Sequence, residues 1–169
     1  MKELSLDLKN YIENGSVFKR TAVRGLICKN GKYLVIHSKK HGDYKFPGGG
    51  MKSGESLNDT LIREVREETG FRVIAESIST DGIFVHEKHK GNPEDLMDMK
   101  SYYFYCDIYD ELGETELDDY EKEEAYQVEW RTLKEIININ EAISNTEETP
   151  WIARETMVMK ELEGCNNEN

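Results

Sequence analysis

The chain has 169 residues and a formal net charge of −12 at pH 7, from 22 Lys plus Arg against 34 Asp plus Glu. This length suits one domain, 1–169, and a hydrophobic share of 37% supplies a core, which argues against a natively disordered chain. The negative charge repels phosphate backbones, so general nucleic-acid binding is disfavoured. A small phosphorylated ligand is not excluded, because a bound metal ion can reverse the local field.

Two features of the sequence bear on the location of the protein in the cell. No run reaches the roughly 18 apolar residues that a membrane helix needs, and the N-terminal segment MKELSLDLKN is too polar for a signal peptide. The sequence therefore predicts a cytoplasmic protein without a membrane partner. The three cysteines lack the close spacing of a zinc or redox site, so Cys28 and Cys106 are predicted to be packed thiols and Cys165 an exposed one.

The first fifteen residues, 1–15, are predicted to form an amphipathic helix. Leu4, Leu8, Tyr11 and Ile12 stand at helical spacing, and the pattern ends near Asn14-Gly15. We expect the apolar face of this helix to pack on its own domain. A subunit contact in a homodimer is the alternative.

Residues 16–131 alternate strand-like runs with one strong helical pattern. The Asn30-Gly31 pair between two apolar runs predicts a hairpin, since both turn positions favour a positive φ. The predicted strands are Val17–Cys28, Tyr33–His37, Phe71–Ile78, Ile83–His86, Met99–Tyr109 and Tyr126–Arg131. Helices are predicted over Leu57–Thr69, Thr132–Asn138 and Pro150–Glu163, the last two within a C-terminal helical part, 132–165. This mixture favours an α+β or α/β sandwich around a mixed sheet over a doubly wound sheet.

A glycine-rich loop and the helix behind it carry the chemistry. Three consecutive glycines, Gly48 to Gly50, let the backbone turn sharply and approach a ligand. Ser56 with Asp59 three residues later is typical of a capping box, and Gly70 is a natural helix end.

Glu64, Glu67 and Glu68 share one face of that helix, at spacings of three and four residues. Each like-charge pair of this kind destabilises a helix by about 0.2–0.5 kcal/mol, and the helix dipole also disfavours anions near the C-terminus. A divalent cation resolves this conflict, because hard oxygen ligands on a rigid face suit Mg²⁺ or Mn²⁺. The alternative is a solvated acidic face that is paired through Arg63 and Arg66.

The whole segment decides between these interpretations. It reads Gly49, five residues, Glu55, seven residues, Arg63-Glu64, Val65, any residue, Glu67-Glu68, any residue, Gly70 and Phe71. Over these 23 residues the chain resembles the Nudix hydrolase superfamily, whose box has the same fixed positions. The resemblance implies a Nudix-type α/β/α sandwich around a mixed β-sheet. It also implies hydrolysis of nucleoside diphosphates linked to another moiety, with Mg²⁺ or Mn²⁺ as cofactor.

The resemblance also implies roles for particular residues. Glu64 is the first choice for the general base, Arg63 orients a catalytic glutamate, and Glu67 is the further catalytic candidate. The expected metal ligands are Glu64, Glu67, Glu68, Glu55 and the carbonyl of Gly48. A further ligand is expected from the acidic residues before the last strand, Glu121, Glu123 and Glu124, of which Glu124 is the best placed. Substrate contacts are expected from the loop glycines Gly49 and Gly50 and from the basic pair Lys39 and Lys40, which precedes the box.

The sequence contains few signals that identify the substrate. A second basic segment contains His86, Lys88, His89 and Lys90, and the aromatic run Tyr102–Tyr105 is typical of a core strand more than of a base-stacking site. The general expectation is a housecleaning nucleotide pyrophosphohydrolase acting on dNTPs. NDP-sugar hydrolysis, dinucleoside polyphosphate hydrolysis and a non-catalytic nucleotide sensor remain alternatives. An isopentenyl diphosphate isomerase would need a catalytic cysteine motif, which neither Cys28 nor Cys106 provides.

Overall fold

The computed structural model describes residues 1–143 and 149–167, and eleven strands and four helices are assigned there. The strands are β1 (Lys2–Asp7), β2 (Val17–Leu26), β3 (Cys28–Lys29), β4 (Lys32–Ser38), β5 (Tyr44–Lys45), β6 (Gly48–Gly50), β7 (Phe71–Val73), β8 (Gly82–Lys90), β9 (Leu96–Tyr105), β10 (Ile108–Leu112) and β11 (Tyr126–Arg131). The helices are α1 (Leu57–Thr69), α2 (Asp119–Glu123), α3 (Leu133–Glu141) and α4 (Trp151–Asn167), with a short 3₁₀ turn at Ala75–Ser77.

The largest sheet has the strand order β1-β8-β9-β2-β6, and it is mixed. β1 runs parallel to β8 and β2 runs parallel to β9, whereas β8 with β9 and β2 with β6 are antiparallel. A second sheet, β11-β4-β3, also pairs β5 with β4, and β7 pairs with β10. Because β6 is the edge strand beside β2, the predicted glycine-rich loop lies at the rim of the large sheet.

Two apolar cores lie on opposite faces of these sheets. On β4 the neighbouring residues Leu34 and Val35 point to opposite sides, as strand pleating requires. Val35 belongs to the core formed with α3 and α4, and Leu34 belongs to the core formed with Leu61 and Val65 of α1. Helices therefore cover both sides, which confirms the predicted α/β/α sandwich around a mixed sheet.

The predicted N-terminal helix over 1–15 is wrong. Residues Lys2–Asp7 form a strand, β1, and its alternating pattern half-buries Leu4 and Leu6. The first residues fit both a helical and an alternating pattern. Pairing with the free edge of β8 favours the alternating pattern, because hydrogen bonds between the two strands satisfy the backbone groups of β1. Leu4 packs against the α3–α4 core, so its apolar surface is covered within the chain. The homodimer stays a prediction.

Other strand boundaries also differ from the predicted ones. The predicted strand Met99–Tyr109 begins earlier and is divided into β9 and β10, and the predicted strand Phe71–Ile78 contains only β7 before the 3₁₀ turn. Cys28 is exposed, contrary to the prediction, because β3 continues the hairpin beyond the core, whereas Cys106 is buried. No helix in the described ranges is long and apolar enough to cross a membrane.

Candidate active site

The helix of the box forms with the predicted bounds, whereas Gly48–Gly50, predicted to be a loop, pair with β2 as the strand β6 at the start of the loop that leads to α1. The Ser56 side chain accepts from the amide of Asp59, and the Asp59 carboxylate accepts from the amide of Ser56, so the capping box is complete. Gly70 ends α1 in the left-handed conformation with φ 76°. Leu61 and Val65 anchor the helix in the core, and Glu64 and Glu68 are buried beside them on the same side of α1.

Arg63 gathers the box residues around one guanidinium. Its Nε lies 2.5 Å from Glu55 Oε1, and its Nη1 lies 2.6 Å from Glu64 Oε1 and 3.0 Å from Glu67 Oε2. Its Nη2 donates to the carbonyl of Gly50 at 3.1 Å. One planar cation therefore joins the loop to three carboxylates, as expected of the five-donor fork of arginine.

The electrostatics of this cluster follow from those contacts. Hydrogen bonding to Arg63 lowers the pKa of Glu55 to about 2, and Lys52 and Thr60 also donate to that carboxylate. The hydrogen bond to Glu55 is the main reason that the pKa of Arg63 rises above its ordinary value. Burial raises the pKa of Glu64, and Arg63 opposes that shift only in part.

Glu68 is held apart from Arg63, on the loop side of the site. Its carboxylate is 2% exposed, and Oε2 accepts from the amide of Gly48 at 2.7 Å. Burial raises the pKa of Glu68, and the charges of Glu121 and Glu64 add to this rise, whereas Lys45 and the Gly48 amide oppose it. The site thus holds buried acidic groups with too little positive charge to neutralise them.

Glu124 is the predicted metal ligand from the segment before β11, but another glutamate of that segment, Glu121, interacts with the box glutamates. Glu124 lies 3.6 Å from His41 through its Oε1, outside the Arg63 cluster. Glu121 is 3% exposed, and its charge raises the pKa of both Glu64 and Glu68. Glu121 is the third residue of α2, and its side chain completes the capping box with Asp118. We therefore place Glu121 in the site and leave the metal role of Glu124 as a prediction.

The two predicted lysine contacts lie in the turn after β4. Lys40 forms an ion pair of 3.0 Å with Glu123 of α2, and Lys39 is exposed in the same turn. Their proposed contact with substrate stays a prediction. The aromatic run is core only in part: Tyr103 belongs to one core and Phe104 to the other, whereas Tyr105 is exposed.

Arg20 on β2 is a site residue that the sequence analysis did not find. A Cβ atom placed on Gly50 would lie 2.8 Å from Arg20 Nη2, so the guanidinium packs directly against the loop. Partial enclosure and the neighbouring Arg24 lower the pKa of Arg20, whereas Glu64 acts in the opposite direction. The only local signal was a cation two residues before the buried part of β2.

The carboxylates of the site are the candidate ligands of a divalent cation. Within residues 1–143 and 149–167, no three His, Cys, Asp or Glu side chains stand together as a ready metal-binding group. The box glutamates are instead engaged by Arg63 and Gly48. Their chemistry is nevertheless all-oxygen and anionic, which fits a hard cation such as Mg²⁺ or Mn²⁺.

The fold and site define a class: an α/β/α sandwich whose loop and helix present glutamates around an arginine at a sheet edge. The chain belongs to the Nudix family, because the NUDIX domain model matches residues 18–153. This result confirms the resemblance inferred from the box.

Individual relatives agree with this assignment. An uncharacterized Nudix hydrolase, YvcI, of Bacillus subtilis is 32% identical over 108 residues, which cover 64% of this chain and 63% of the relative. The nucleoside triphosphatase NudI of an Enterobacter species is 30% identical over 135 residues, covering 73% of this chain and 91% of that protein. This chain therefore spans less than two thirds of the length of YvcI but most of NudI.

A solved structure confirms the fold. The NUDIX hydrolase from Nitrosomonas europaea superimposes with a TM-score of 0.58, at 20% identity, and covers 82% of this chain and 88% of that chain.

Proposed function

We propose that this protein is a metal-dependent nucleotide pyrophosphohydrolase that acts on nucleoside triphosphates, dNTPs included. The observation that carries the proposal is the convergence of Glu55, Glu64 and Glu67 on Arg63 beside the Gly50 carbonyl. The similarity to the nucleoside triphosphatase NudI, which spans most of both chains, favours a triphosphate over an NDP-sugar or dinucleoside polyphosphate.

Glu64, Glu67 and Glu68 would hold Mg²⁺ or Mn²⁺, with Glu55 and the Gly48 carbonyl in supporting positions. When bound, the cation partly neutralises phosphate oxygens and makes nearby water more acidic. The specific ion is part of the proposal, whereas use of a divalent metal is general among Nudix hydrolases.

The residues of the chain perform the remaining steps. Glu64 accepts a proton from the attacking water, and the water oxygen forms a bond to phosphorus while the bridging phosphorus–oxygen bond breaks. No covalent enzyme intermediate is needed. Arg63 fixes the orientation of Glu64 at 2.6 Å, and Arg20 faces the same loop with a cation available to phosphate. Positioning and charge complementarity are therefore the main contributions of the protein.

The test is a Mg²⁺-dependent screen over dNTPs, NDP-sugars, dinucleoside polyphosphates, ADP-ribose and NADH, with phosphate or pyrophosphate release as the readout. Glu67→Gln and Glu68→Gln should lower turnover by about 10²-fold or more while circular dichroism stays unchanged. Glu76→Gln, which changes an exposed glutamate on the 3₁₀ turn, is the matched control and should retain wild-type turnover.

Two results would count against the proposal. Unchanged Mg²⁺-dependent hydrolysis in both glutamine variants would refute the metal-ligand assignment. Tight nucleotide binding without turnover of any substrate would favour the non-catalytic sensor. Binding of Mn²⁺, followed by electron paramagnetic resonance, separates loss of metal from loss of chemistry in each variant.

A further inference from the structure

Side chains of the C-terminal helices hold the backbone of the segment that leads into the glycine strand β6. Asn140 of α3 accepts from the amide of Tyr44 at 2.8 Å and donates to the carbonyl of the same residue at 2.9 Å. Glu155 of α4 accepts through Oε2 from the amide of Phe46 at 3.0 Å. These partners are 96 and 109 positions apart in the chain, so only the fold brings them together.

Glu155 is also linked to β6 through Arg24, the residue of β2 that pairs with Gly48. Arg24 Nε lies 3.1 Å from Glu155 Oε1, an ion pair whose geometry falls short of a hydrogen bond. A Cβ atom on Gly48 would lie 2.6 Å from Arg24 Cα and 2.9 Å from Arg24 Cγ, so Gly48 packs directly against Arg24. Glu155 therefore acts on Gly48 by two routes, through the backbone of Phe46 and through Arg24.

Gly48 is the point at which this segment meets the carboxylates of α1. Its amide donates to Glu68 Oε2 at 2.7 Å, and two residues later the carbonyl of Gly50 accepts from Arg63 at 3.1 Å. Both contacts join β6 to the helix that contains the glutamates. A displacement of Gly48 would therefore move its carbonyl, a proposed metal ligand, relative to Glu68.

The buried charge of Glu155 needs a reason beyond stability. Glu155 is 0% exposed, and its Oε1 also accepts from Tyr103 at 2.7 Å and from Arg154 Nη2 at 3.1 Å. Taking such charges out of water is costly, and apolar residues in their place are often at least as stabilising. A carboxylate, however, has two acceptor oxygens, so it can hold the Phe46 amide with one and face the cations with the other.

We propose that Glu155 is a positioning residue, which fixes Gly48 against Glu68 so that the metal ligands of the box are held in place. This assignment rests on the proposed function for the identity of those ligands. Glu155 itself lies behind β6 and acts only through Phe46 and Arg24. Substitution of residues that orient metal ligands typically costs about 10–100-fold in metal affinity or activity.

The first experiment measures metal binding without catalysis. Glu155→Gln keeps the size of the side chain, but its single acceptor oxygen cannot serve both Phe46 and the cations. Titration with Mn²⁺, followed by electron paramagnetic resonance, should show binding weakened about tenfold or more. Leu162→Ala is the matched control, because this buried side chain lies about two turns further along α4 and its loss also destabilises the fold. Folded Leu162→Ala should bind Mn²⁺ as the wild type does.

The amide of Gly48 provides a readout that involves neither metal nor substrate. In proton–nitrogen correlation spectra of the metal-free protein, its resonance should shift in Glu155→Gln, because the hydrogen bond to Glu68 is disturbed, and should stay in place in Leu162→Ala. Arg24→Lys keeps the charge but loses the planar guanidinium, and it should show the same shift and the same direction of change in Mn²⁺ affinity. This variant tests the proposal if Glu155→Gln does not fold.

The third measurement is turnover. The Mg²⁺ concentration for half-maximal hydrolysis of a dNTP should rise about tenfold in Glu155→Gln, while KM for the nucleotide at saturating Mg²⁺ stays close to that of the wild type. Unchanged Mn²⁺ affinity in folded Glu155→Gln, or an equal loss in Leu162→Ala, would overturn the positioning role. Weaker Mn²⁺ binding without a change at Gly48 would overturn the route through that residue. Weaker Mn²⁺ binding with a shifted Gly48 amide, in a protein that hydrolyses no nucleotide, would support the positioning of a metal site and refute the proposed function.

Discussion

Gly49→Ala is expected to abolish most of the activity without unfolding the protein. A Cβ atom on residue 49 would lie 2.5 Å from Glu64 Oε2 and 2.6 Å from Glu64 Cδ. Carbon contacts are comfortable only at about 3.5–4.0 Å, so the carboxylate of Glu64 must move by ~1 Å. A misplacement of that size can cost about 10²-fold in rate when it affects a catalytic group.

The fold should tolerate this change because the atoms in the way belong to the end of a flexible side chain. We expect the free energy of unfolding to change by less than about 1 kcal/mol. Gly48→Ala provides the contrast, since its φ is +146° and its Cβ would lie 2.1 Å from the carbonyl oxygen of Val23. Strain of that backbone alone costs about 1–3 kcal/mol, and the clash with a neighbouring strand adds to it.

The assay combines thermal unfolding with Mg²⁺-dependent release of pyrophosphate from a dNTP. Gly54→Ala is the control: its φ is +85° and nothing lies within 4 Å of its Cβ position, so stability falls modestly while turnover per folded molecule stays high. Turnover of Gly49→Ala within about threefold of the wild type would refute the assigned position of Glu64. If Gly49→Ala unfolds as readily as Gly48→Ala, the inference that Gly49 is needed for activity and Gly48 for stability is refuted.

Three further predictions concern Arg63 and the buried polar network. Arg63→Lys, which cannot form the planar fork to Glu55 and Glu64, should lower turnover by about 10²-fold with little change in unfolding temperature; equal rates would contradict the orienting role. Glu155→Gln removes the buried partner of Arg154 and should cost about 3 kcal/mol in denaturant unfolding at pH 7. Asn140→Ala, which leaves the amide and carbonyl of Tyr44 unpaired, should cost about 1–3 kcal/mol, and an unchanged midpoint would show that water replaces the side chain.

The pH dependence of stability follows from the same Glu155. Burial alone raises its pKa, but Arg24 and Arg154 outweigh burial, so the folded-state pKa lies below the ordinary value. Its contribution to stability is therefore complete above the ordinary glutamate pKa, about 4.3, and is lost as the pH falls through the folded-state pKa. Unfolding of the wild type below about pH 4.3 should show this loss, and the profile of Glu155→Gln should be flatter there.

The sequence predicted correctly the elements whose boundaries are set by residues within a single short segment. The predicted bounds of α1 and β11 are those of the structure, because the Ser56–Asp59 capping box and Gly70 mark both ends of α1. Asn30 and Gly31 adopt the positive φ values, 53° and 74°, that the hairpin requires. The box positions suggested only that Arg63 orients a glutamate, whereas in the structure Arg63 pairs with Glu55, Glu64 and Glu67, which helix geometry and one loop bring within reach.

The tertiary structure decided what depends on partners distant in sequence. The first residues form a strand because β8 offers an edge to pair with, and that edge lies about eighty residues away along the chain. The charge of Glu121 acts on Glu64 and Glu68, more than fifty residues earlier in the chain, and Arg20 contacts Gly50 because β6 pairs with β2.

The net charge of −12 also shows the difference between what the sequence determines and what the fold determines. The sequence alone determined the net charge and that several carboxylates share one helix face. Only the tertiary structure placed the Arg63 guanidinium between Glu55, Glu64 and Glu67 and buried Glu68 beside the amide of Gly48. Charge composition is a property of the chain, but electrostatic potential depends on distances, and the fold sets the distances.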